Sequence, residues 1–199
     1  EMIQDIVDRH KKIRDSRGRG LLKSTPKGAL SAFSIGEEKN GRIYVKEFSN
    51  SGVVRWLETI FSTHRGKRAW NAARTLHAIG VPCPEIIGLV EEKKCGLPHA
   101  SYLLMKEILQ AAQLDDFLIR EFFQVSRRLS REEIRRKRNL IHAGAVALRE
   151  FHARRVYHKD LSAKNLLVSG GENPQFHCVD LESINFPRRL SLRRRIKNL

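Results

Sequence analysis

The chain has 199 residues, of which 41% are apolar and 30% charged, a composition that suits a soluble domain or two small lobes. Its formal net charge of +16 favours a polyanionic partner and, taken alone, leaves nucleic acid and an anionic membrane or glycolipid equally open. Three cysteines without metal-type spacing argue against a disulfide framework or a zinc site, and no apolar run approaches the ~20 residues of a membrane span.

The first half of the chain predicts an antiparallel sheet with helices. Five segments are strand-like, have turn residues between them and are predicted strands: 20–24, 29–35, 42–48, 85–91 and 101–107. Residues 1–15 and 63–79 instead have helical spacing, and Gly80 and Pro82 end the second helix.

The second half begins with helices. Residues 114–123 predict a short amphipathic helix, and Ser130 with Glu133 forms a capping box that opens a long helix reaching Phe151. Two short predicted strands follow, 166–168 and 177–181, with a Gly-Gly turn between them. The chain begins at Glu1 rather than at methionine and ends in a basic run, so we expect a fragment whose C-terminal lobe is truncated.

The most informative segment is 158–165, His-Lys-Asp-Leu-Ser-Ala-Lys-Asn, followed by Val-Asp-Leu-Glu at 179–182. The predicted hairpin between them brings two acids and an amide to one edge. Phosphoryl transfer needs a carboxylate to receive the acceptor proton, a role that fits Asp160. Asn165 and Asp180 offer the hard oxygen ligands that magnesium prefers.

Three further residues fit the same chemistry. His158 is expected to brace the loop, and Lys164 to steady the transferred phosphate. Lys46, among the apolar residues of a predicted third strand, needs a phosphate or carboxylate partner. The alternative for the 158–165 segment is a solvent loop whose polar residues merely cap helix and strand. The alternative for Lys46 is a surface lysine on an edge strand.

The whole chain resembles the bacterial lipopolysaccharide core kinase family, the Kdo/WaaP kinases, which phosphorylate sugars of the inner core. The resemblance rests on the H-x-D-L-x-A-x-N segment at 158–165, on Val-Asp-Leu-Glu at 179–182 and on Tyr-Val-Lys at 44–46. Softer signals are Leu-His-Ala-Ile-Gly-Val-Pro-Cys-Pro at 76–84 and the closing arginine-rich run.

The resemblance implies an α+β, two-lobed protein-kinase-like fold that uses ATP and Mg²⁺. Residues 1–107 would form the N-lobe, with the nucleotide-binding sheet and helix, and residues 108–199 a mainly helical C-lobe with the catalytic loop and the metal site. Asp160 would be the catalytic base, Asn165 and Asp180 the metal ligands, and Lys46 the residue that holds the nucleotide phosphates. The hinge that meets the adenine would comprise Met105, Lys106, Glu107 and Ile108.

The chain departs from the kinase pattern in three places. Gly28 is the only glycine in 24–32, so backbone amides and the hydroxyl of Ser24, Thr25 or Ser31 would have to bind the phosphates. The 63–79 helix has Ala69 where a glutamate partner for Lys46 is expected, and Glu58 lies just before that helix. Asp-Leu-Glu replaces Asp-Phe-Gly at 180–182, which suggests no phenylalanine-driven switch.

Two basic clusters exceed what solubility requires. Their members are Arg127, Arg128, Arg131, Arg135, Arg136, Lys137 and Arg138, and Arg188, Arg189, Arg193, Arg194, Arg195 and Lys197. They favour binding to an anionic glycolipid or to the inner-membrane surface. Aromatic residues are few and do not interleave with the arginines, which disfavours nucleic acid.

We therefore expect a monomeric, ATP-dependent kinase acting on a heptose or Kdo hydroxyl of inner-core lipopolysaccharide, peripherally bound to the cytoplasmic face of the inner membrane. Two alternatives stay open. One is a small atypical protein kinase of the RIO-like sort, which shares the catalytic loop. The other is a catalytically silent kinase-like module that binds polyanions, suggested by the missing helix glutamate and the glycine-poor loop.

Overall fold

The computed structural model describes the chain as two compact units. The first comprises Glu1–Ala73 and Pro84–Glu107, and the second comprises Arg74–Cys83 and Ile108–Leu199. Within them the structure describes residues 2–34, 41–49, 64–94, 96–123, 129–171 and 173–198.

The first unit is built on the predicted antiparallel sheet. Its strands are β1 (Leu21–Thr25), β2 (Gly28–Phe33), β3 (Ile43–Ser49), β4 (Ile86–Lys94) and β5 (Leu97–Lys106). They are arranged in the order β1-β2-β3-β5-β4, and every neighbouring pair is antiparallel. Because β3 lies in the middle of this sheet, Lys46 is not on an edge strand.

One face of the sheet is covered by the N-terminal helix, α1 (Met2–Ser16). Its apolar residues recur at helical spacing, so they form one stripe that packs on alternate residues of the strands. The resulting core contains Ile6, Val7, Phe33, Val45, Ala100, Tyr102 and Leu104. Burying each large side chain contributes roughly 1.5–3 kcal/mol, so this layer holds α1 to the sheet.

A second helix, α2 (Arg65–Ala78), begins against the opposite face. Gly66 makes this contact possible, because an added Cβ there would overlap both Oγ and Cβ of Ser101 on β5. The Arg65 guanidinium lies 5.1 Å from the ring centroid of Phe48, which shares that face with Ser101. The predicted helix 63–79 is thus confirmed, with ends one or two residues shorter.

The second unit contains the long helix and several short elements. They are β6 (Ala112–Gln113), α3 (Leu114–Leu118), α4 (Arg131–Ala153), β7 (Tyr157–His158), β8 (Leu166–Ser169), β9 (Gln175–Cys178), β10 (Ile184–Asn185) and α5 (Leu192–Lys197). The strands pair as β6-β8-β9 and β10-β7. Phe122, Leu140, Val168 and Phe176 form a core cluster in this unit.

The capping box at the start of α4 is confirmed. The Ser130 hydroxyl accepts a hydrogen bond from the Glu133 amide at 3.2 Å, and the Glu133 carboxylate accepts one from the Ser130 amide at 2.6 Å. These bonds satisfy donors that the first helical turn leaves without intrahelical partners.

The helix predicted over 114–123 is confirmed: it is α-helical over Leu114–Leu118 and continues as a π-helical turn over Ile119–Phe123. One predicted strand of this unit is wrong in extent. The strand predicted over 177–181 ends at Cys178, because the backbone turns into a left-handed conformation at Asp180. The sequence does not predict β6, β7, β10 or α5, since the strands have only two residues each and α5 lies in a basic run without apolar periodicity.

Cys83 and Cys178 are free and buried. Burial raises the pKa of each thiol to about 12, which keeps both protonated and unreactive. Cys95 lies outside the described residues.

None of the helices in the described ranges is long and apolar enough to cross a bilayer.

The close approach at Gly66 predicts that Gly66→Ala destabilises the first unit. Alanine favours a helix by about 1 kcal/mol over glycine, but forcing the overlap with Ser101 costs about 1–3 kcal/mol. We expect a Tm several degrees below wild type by circular dichroism, while Lys67→Ala, at an exposed position of the same turn, changes it little. A Tm for Gly66→Ala at or above that of wild type would contradict the tight contact.

Candidate active site

His158 is the first residue of the predicted catalytic segment. It sits on β7, which pairs with β10, and only 2% of its surface is exposed. Its Nδ1 accepts a hydrogen bond from the Asp160 amide at 3.2 Å, so Nε2 carries the proton and donates to the Val179 carbonyl at 2.9 Å. One buried imidazole thereby joins the Asp160 loop to the chain segment before Asp180.

Asn165 makes a second connection within the same loop. It ends a single turn of 3-10 helix, Ala163–Asn165, and its side-chain Nδ2 donates to the Asp160 carbonyl at 2.7 Å. Its own carbonyl accepts from the Val179 amide at 3.1 Å. Because the amide nitrogen is used in this way, Oδ1 is the atom of Asn165 that can meet a ligand.

Asp180 has a backbone conformation that is unusual for a non-glycine residue. Its φ of 58° and ψ of 49° lie in the left-handed region, which costs an L-residue roughly 1–2 kcal/mol. The Ser183 hydroxyl donates to Asp180 Oδ2 at 2.8 Å, and the Ser183 amide donates to the Asp180 carbonyl at 2.9 Å. These bonds hold the aspartate at the start of a tight turn rather than along a strand.

The hydrogen bonds therefore bring four predicted site residues together: His158, Asp160, Asn165 and Asp180. Asp160 is exposed, while Asn165 and Asp180 are half-buried. Lys164 is exposed in the turn before Asn165, and its carbonyl accepts a hydrogen bond from Gln113 Nε2 at 3.1 Å.

The donor set at this edge fits magnesium rather than a transition metal. The described part of the chain contains no group of three or more His, Cys, Asp or Glu residues that could hold a metal ion by itself. Magnesium instead takes one or two protein oxygens together with water and phosphate oxygens. The Asp180 carboxylate and Asn165 Oδ1 would supply those oxygens.

Lys46 lies half-buried on β3 in the first unit. Its Nζ is 5.2 Å from the ring centroid of Phe48, on the face of the sheet where α2 begins. The sequence of α2 contains no acidic residue, Ala69 is fully buried, and Glu58 lies outside the described residues. Just before α2, His64 Nε2 lies 2.7 Å from a carboxylate oxygen of Glu91 on β4.

The expectation that Ser24, Thr25 or Ser31 binds phosphate through its hydroxyl is wrong for Ser31. Ser31 is fully buried, and its hydroxyl lies 2.7 Å from His10 Nδ1 on α1, so it does not serve a surface loop. Thr25 Oγ1 donates to the Gly28 carbonyl at 3.1 Å and so helps to close the turn. Of the three hydroxyls considered, the exposed Ser24 is the one that stays a candidate.

The predicted hinge residues span the end of β5: Met105 and Lys106 are its last two residues, and Glu107 and Ile108 follow it. The Lys106 amide donates to the Glu85 carbonyl at 2.9 Å, and the Glu107 amide donates to the Arg42 carbonyl at 2.9 Å. The Glu107 carboxylate also accepts from the Arg42 guanidinium at 2.9 Å. Met105 lies in the strand, paired with Tyr44, and Ile108 follows Glu107 without regular secondary structure.

Sequence reasoning missed three residues that support the catalytic segment: Ser183, Gln113 and Asn198. Asn198 is 5% exposed, and its Nδ2 donates to the His158 carbonyl at 2.6 Å. Ser183 stands three residues after Asp180, a spacing that can signal a turn. Asn198 gave no signal, because it stands in a basic run with no motif.

Comparison with known proteins gives the family. No curated protein sequence matches the chain. Among solved structures, WaaP in complex with acyl carrier protein matches with a TM-score of 0.61 and 18% identity, and the alignment covers 89% of this chain. The likeness shows a protein-kinase-like fold and confirms the predicted fold class. The chain spans 66% of the length of that WaaP chain, just under two thirds. The model of the lipopolysaccharide kinase (Kdo/WaaP) family matches residues 8–199, so the chain belongs to that family.

Proposed function

We propose that the protein is an ATP-dependent kinase that phosphorylates a sugar hydroxyl of inner-core lipopolysaccharide, on heptose or Kdo. Family membership supports the reaction class. The observation that carries the proposal is the hydrogen-bonded loop, in which Asn165 Nδ2 donates to the Asp160 carbonyl and His158 joins Asp160 to Val179. The proposed base and one proposed oxygen ligand, Asn165, are thus hydrogen-bonded within one loop, and His158 joins that loop to Val179, the neighbour of the other proposed ligand, Asp180.

The proposed reaction is direct phosphoryl transfer. The acceptor hydroxyl passes its proton to the exposed Asp160 carboxylate, and its oxygen forms a bond to the γ-phosphorus of ATP. The bond between that phosphorus and the bridging oxygen breaks, and ADP leaves with the electron pair. Bound magnesium would neutralise phosphate charge, held by Asn165 and Asp180. Lys164 would steady the transferred group.

The first unit would bind the phosphates of the nucleotide. Lys46 would hold phosphate oxygens, with Ser24 and the backbone of the β1–β2 turn beside them. Because the amides of Lys106 and Glu107 are already donated to protein carbonyls, we place the adenine contact at the backbone of Ile108.

The basic clusters support an anionic acceptor at a membrane surface. Arginine binds phosphate through two parallel hydrogen bonds, which suits a phosphorylated glycolipid. The exposed cations of the described chain include Arg131, Arg135, Arg136, Arg138, Arg188, Arg189, Arg193, Arg194, Arg195 and Lys197. Arg127 and Arg128 lie outside the described residues. We propose peripheral binding to the cytoplasmic face of the inner membrane.

Replacing the base tests the reaction. Asp160→Asn should keep ATP binding but lower transfer of labelled γ-phosphate from magnesium-ATP to purified core lipopolysaccharide by about 10²–10⁴-fold, because the amide cannot accept the proton. Asp116→Asn, at an exposed aspartate of α3, is the matched control and should transfer at the wild-type rate.

The outcomes of this assay separate the alternatives. Wild-type protein that labels protein substrates but not lipopolysaccharide would favour the RIO-like reading. Failure to bind magnesium-ATP, with tight and salt-sensitive polyanion binding, would favour the silent module.

Removing cations from α5 tests the surface. Arg193→Gln with Arg195→Gln should weaken binding to vesicles of anionic phospholipid by roughly thirtyfold, at about 1 kcal/mol for each lost cation. Lys93→Gln with Lys94→Gln removes the same charge from exposed positions in the first unit and should have little effect in vesicle co-sedimentation. Equal losses in both pairs would show that only net charge matters.

The bond from Asn198 tests how the loop is held. Asn198→Ala leaves the buried His158 carbonyl without this donor, so we expect a loss of about 1–2 kcal/mol in unfolding free energy by urea titration, together with a lower kcat. Asn185→Ala, at an exposed position of β10, should change neither. An unchanged kcat in correctly folded Asn198→Ala would show that the bond serves stability alone.

A further inference from the structure

A buried polar cluster joins α1 to β3 on the face of the sheet opposite Lys46. We call it the α1 clamp; its members are His10, Arg14, Ser31 and Glu47. His10 is fully buried and Glu47 is 6% exposed. The Glu47 carboxylate lies 2.6 Å from Arg14 Nη1 and 3.3 Å from His10 Nε2, and His10 Nδ1 lies 2.7 Å from Ser31 Oγ.

Glu47 is ionised in this cluster. Burial by itself raises the pKa of its carboxyl. The hydrogen bond from His10 and the charge and hydrogen bond of Arg14 together lower the pKa by more than burial raises it, so the pKa lies below its ordinary value. The same neighbourhood raises the pKa of the Arg14 guanidinium, through its hydrogen bond to Asp15 first and through Glu47 as well. A buried carboxylate paired in this way is costly to separate from its partners.

The start of β2 lies close to the backbone of β3 at the same residue. Gly28, with a φ of +143°, lies so close to this strand that an added Cβ would overlap the Glu47 carbonyl oxygen. Glu47 is thus held through its side chain by α1 and through its main chain by the close approach of the β2 start. Because strand side chains alternate, the next residue back, Lys46, projects from the opposite face of the same restrained peptide.

We propose that Glu47 is a positioning residue for Lys46: α1, through His10 and Arg14, fixes the height and orientation of β3 and with them the point at which the Lys46 ammonium meets the nucleotide phosphates. This inference rests on the proposed function, in which Lys46 binds those phosphates. It assigns to an N-terminal helix on the far face of the sheet a share in nucleotide affinity.

The structure contains a matched comparison. Glu92 on β4 also connects α1 to the sheet: its carboxylate bonds with Lys11 Nζ and accepts a hydrogen bond from Tyr102 Oη at 3.1 Å. Glu92 therefore shares the general task of docking α1 but lies two strands away from β3. If only docking of the helix mattered, loss of either carboxylate would act through stability, more strongly for Glu47 (6% exposed) than for Glu92 (33% exposed), and neither would change KM for ATP.

The experiment compares Glu47→Gln with Glu92→Gln in two assays. One measures steady-state phosphate transfer from ATP to purified core lipopolysaccharide, and the other is direct titration with a fluorescent ATP analogue. Displacement of a binding group by about 1 Å can cost up to ~10²-fold, and we expect Glu47→Gln to raise both KM for ATP and the analogue's Kd about tenfold. The kcat at saturating ATP should stay near wild type, as for a lost binding contact. Glu92→Gln should leave KM and Kd within about twofold of wild type.

This readout separates positioning from stability. A merely structural role would lower the folded fraction, and so the apparent Vmax, without moving KM. If Glu47→Gln does not fold, Arg14→Gln removes the half-exposed partner of the same carboxylate and should raise KM in the same direction. An unchanged KM and Kd in folded Glu47→Gln or Arg14→Gln, or equal rises in Glu92→Gln, would overturn the inference. Wild-type protein that binds no ATP would instead overturn the proposed function.

Discussion

The geometry of the proposed catalytic segment depends on one buried imidazole. His158 accepts from the Asp160 amide and donates to the Val179 carbonyl, so two stretches of chain that are about twenty residues apart in sequence are fixed by a single side chain. Both ring nitrogens are used, which leaves one tautomer and one ring orientation. Asn165 and Asn198 then act on the same loop through the carbonyls of Asp160 and His158. Loosening the imidazole would therefore disturb the proposed base and the proposed metal ligand together.

In the first unit, a strand is attached to a helix by a charged cluster. A central strand carries a lysine on one face and a glutamate on the other, and the glutamate is buried against a helix that supplies a histidine and an arginine. Apolar packing of Ile6, Val7, Phe33 and Val45 supplies most of the attachment of α1. The polar pairs add direction to it, because hydrogen bonds and ion pairs specify geometry in a way that apolar contacts do not.

The sequence predicted what periodicity and local chemistry encode. Long elements such as β3, β5, α2 and α4 were found because apolar spacing and capping residues persist over many positions. The motif at 158–165 also predicted which polar side chains would come together, because a short hairpin follows directly. The sequence could not predict Asn198 or the pairing of Glu47 with His10, since such contacts join residues far apart in the chain and leave no periodic signal. The strand predicted through Leu181 is wrong because the backbone is left-handed at Asp180, where bonds from Ser183 close a tight turn.

That left-handed residue places folding and chemistry in opposition. Glycine adopts such a backbone at no steric cost, and asparagine tolerates it better than most residues do. Asp180 has a carboxylate side chain although glycine would adopt this backbone with less strain, and the Ser183 hydroxyl hydrogen-bonds to that carboxylate. Glycine would fit this backbone without strain, but it would remove the carboxylate that we propose as a metal ligand. Asp180 is therefore a position where the preference of the backbone and the proposed metal chemistry favour different residues.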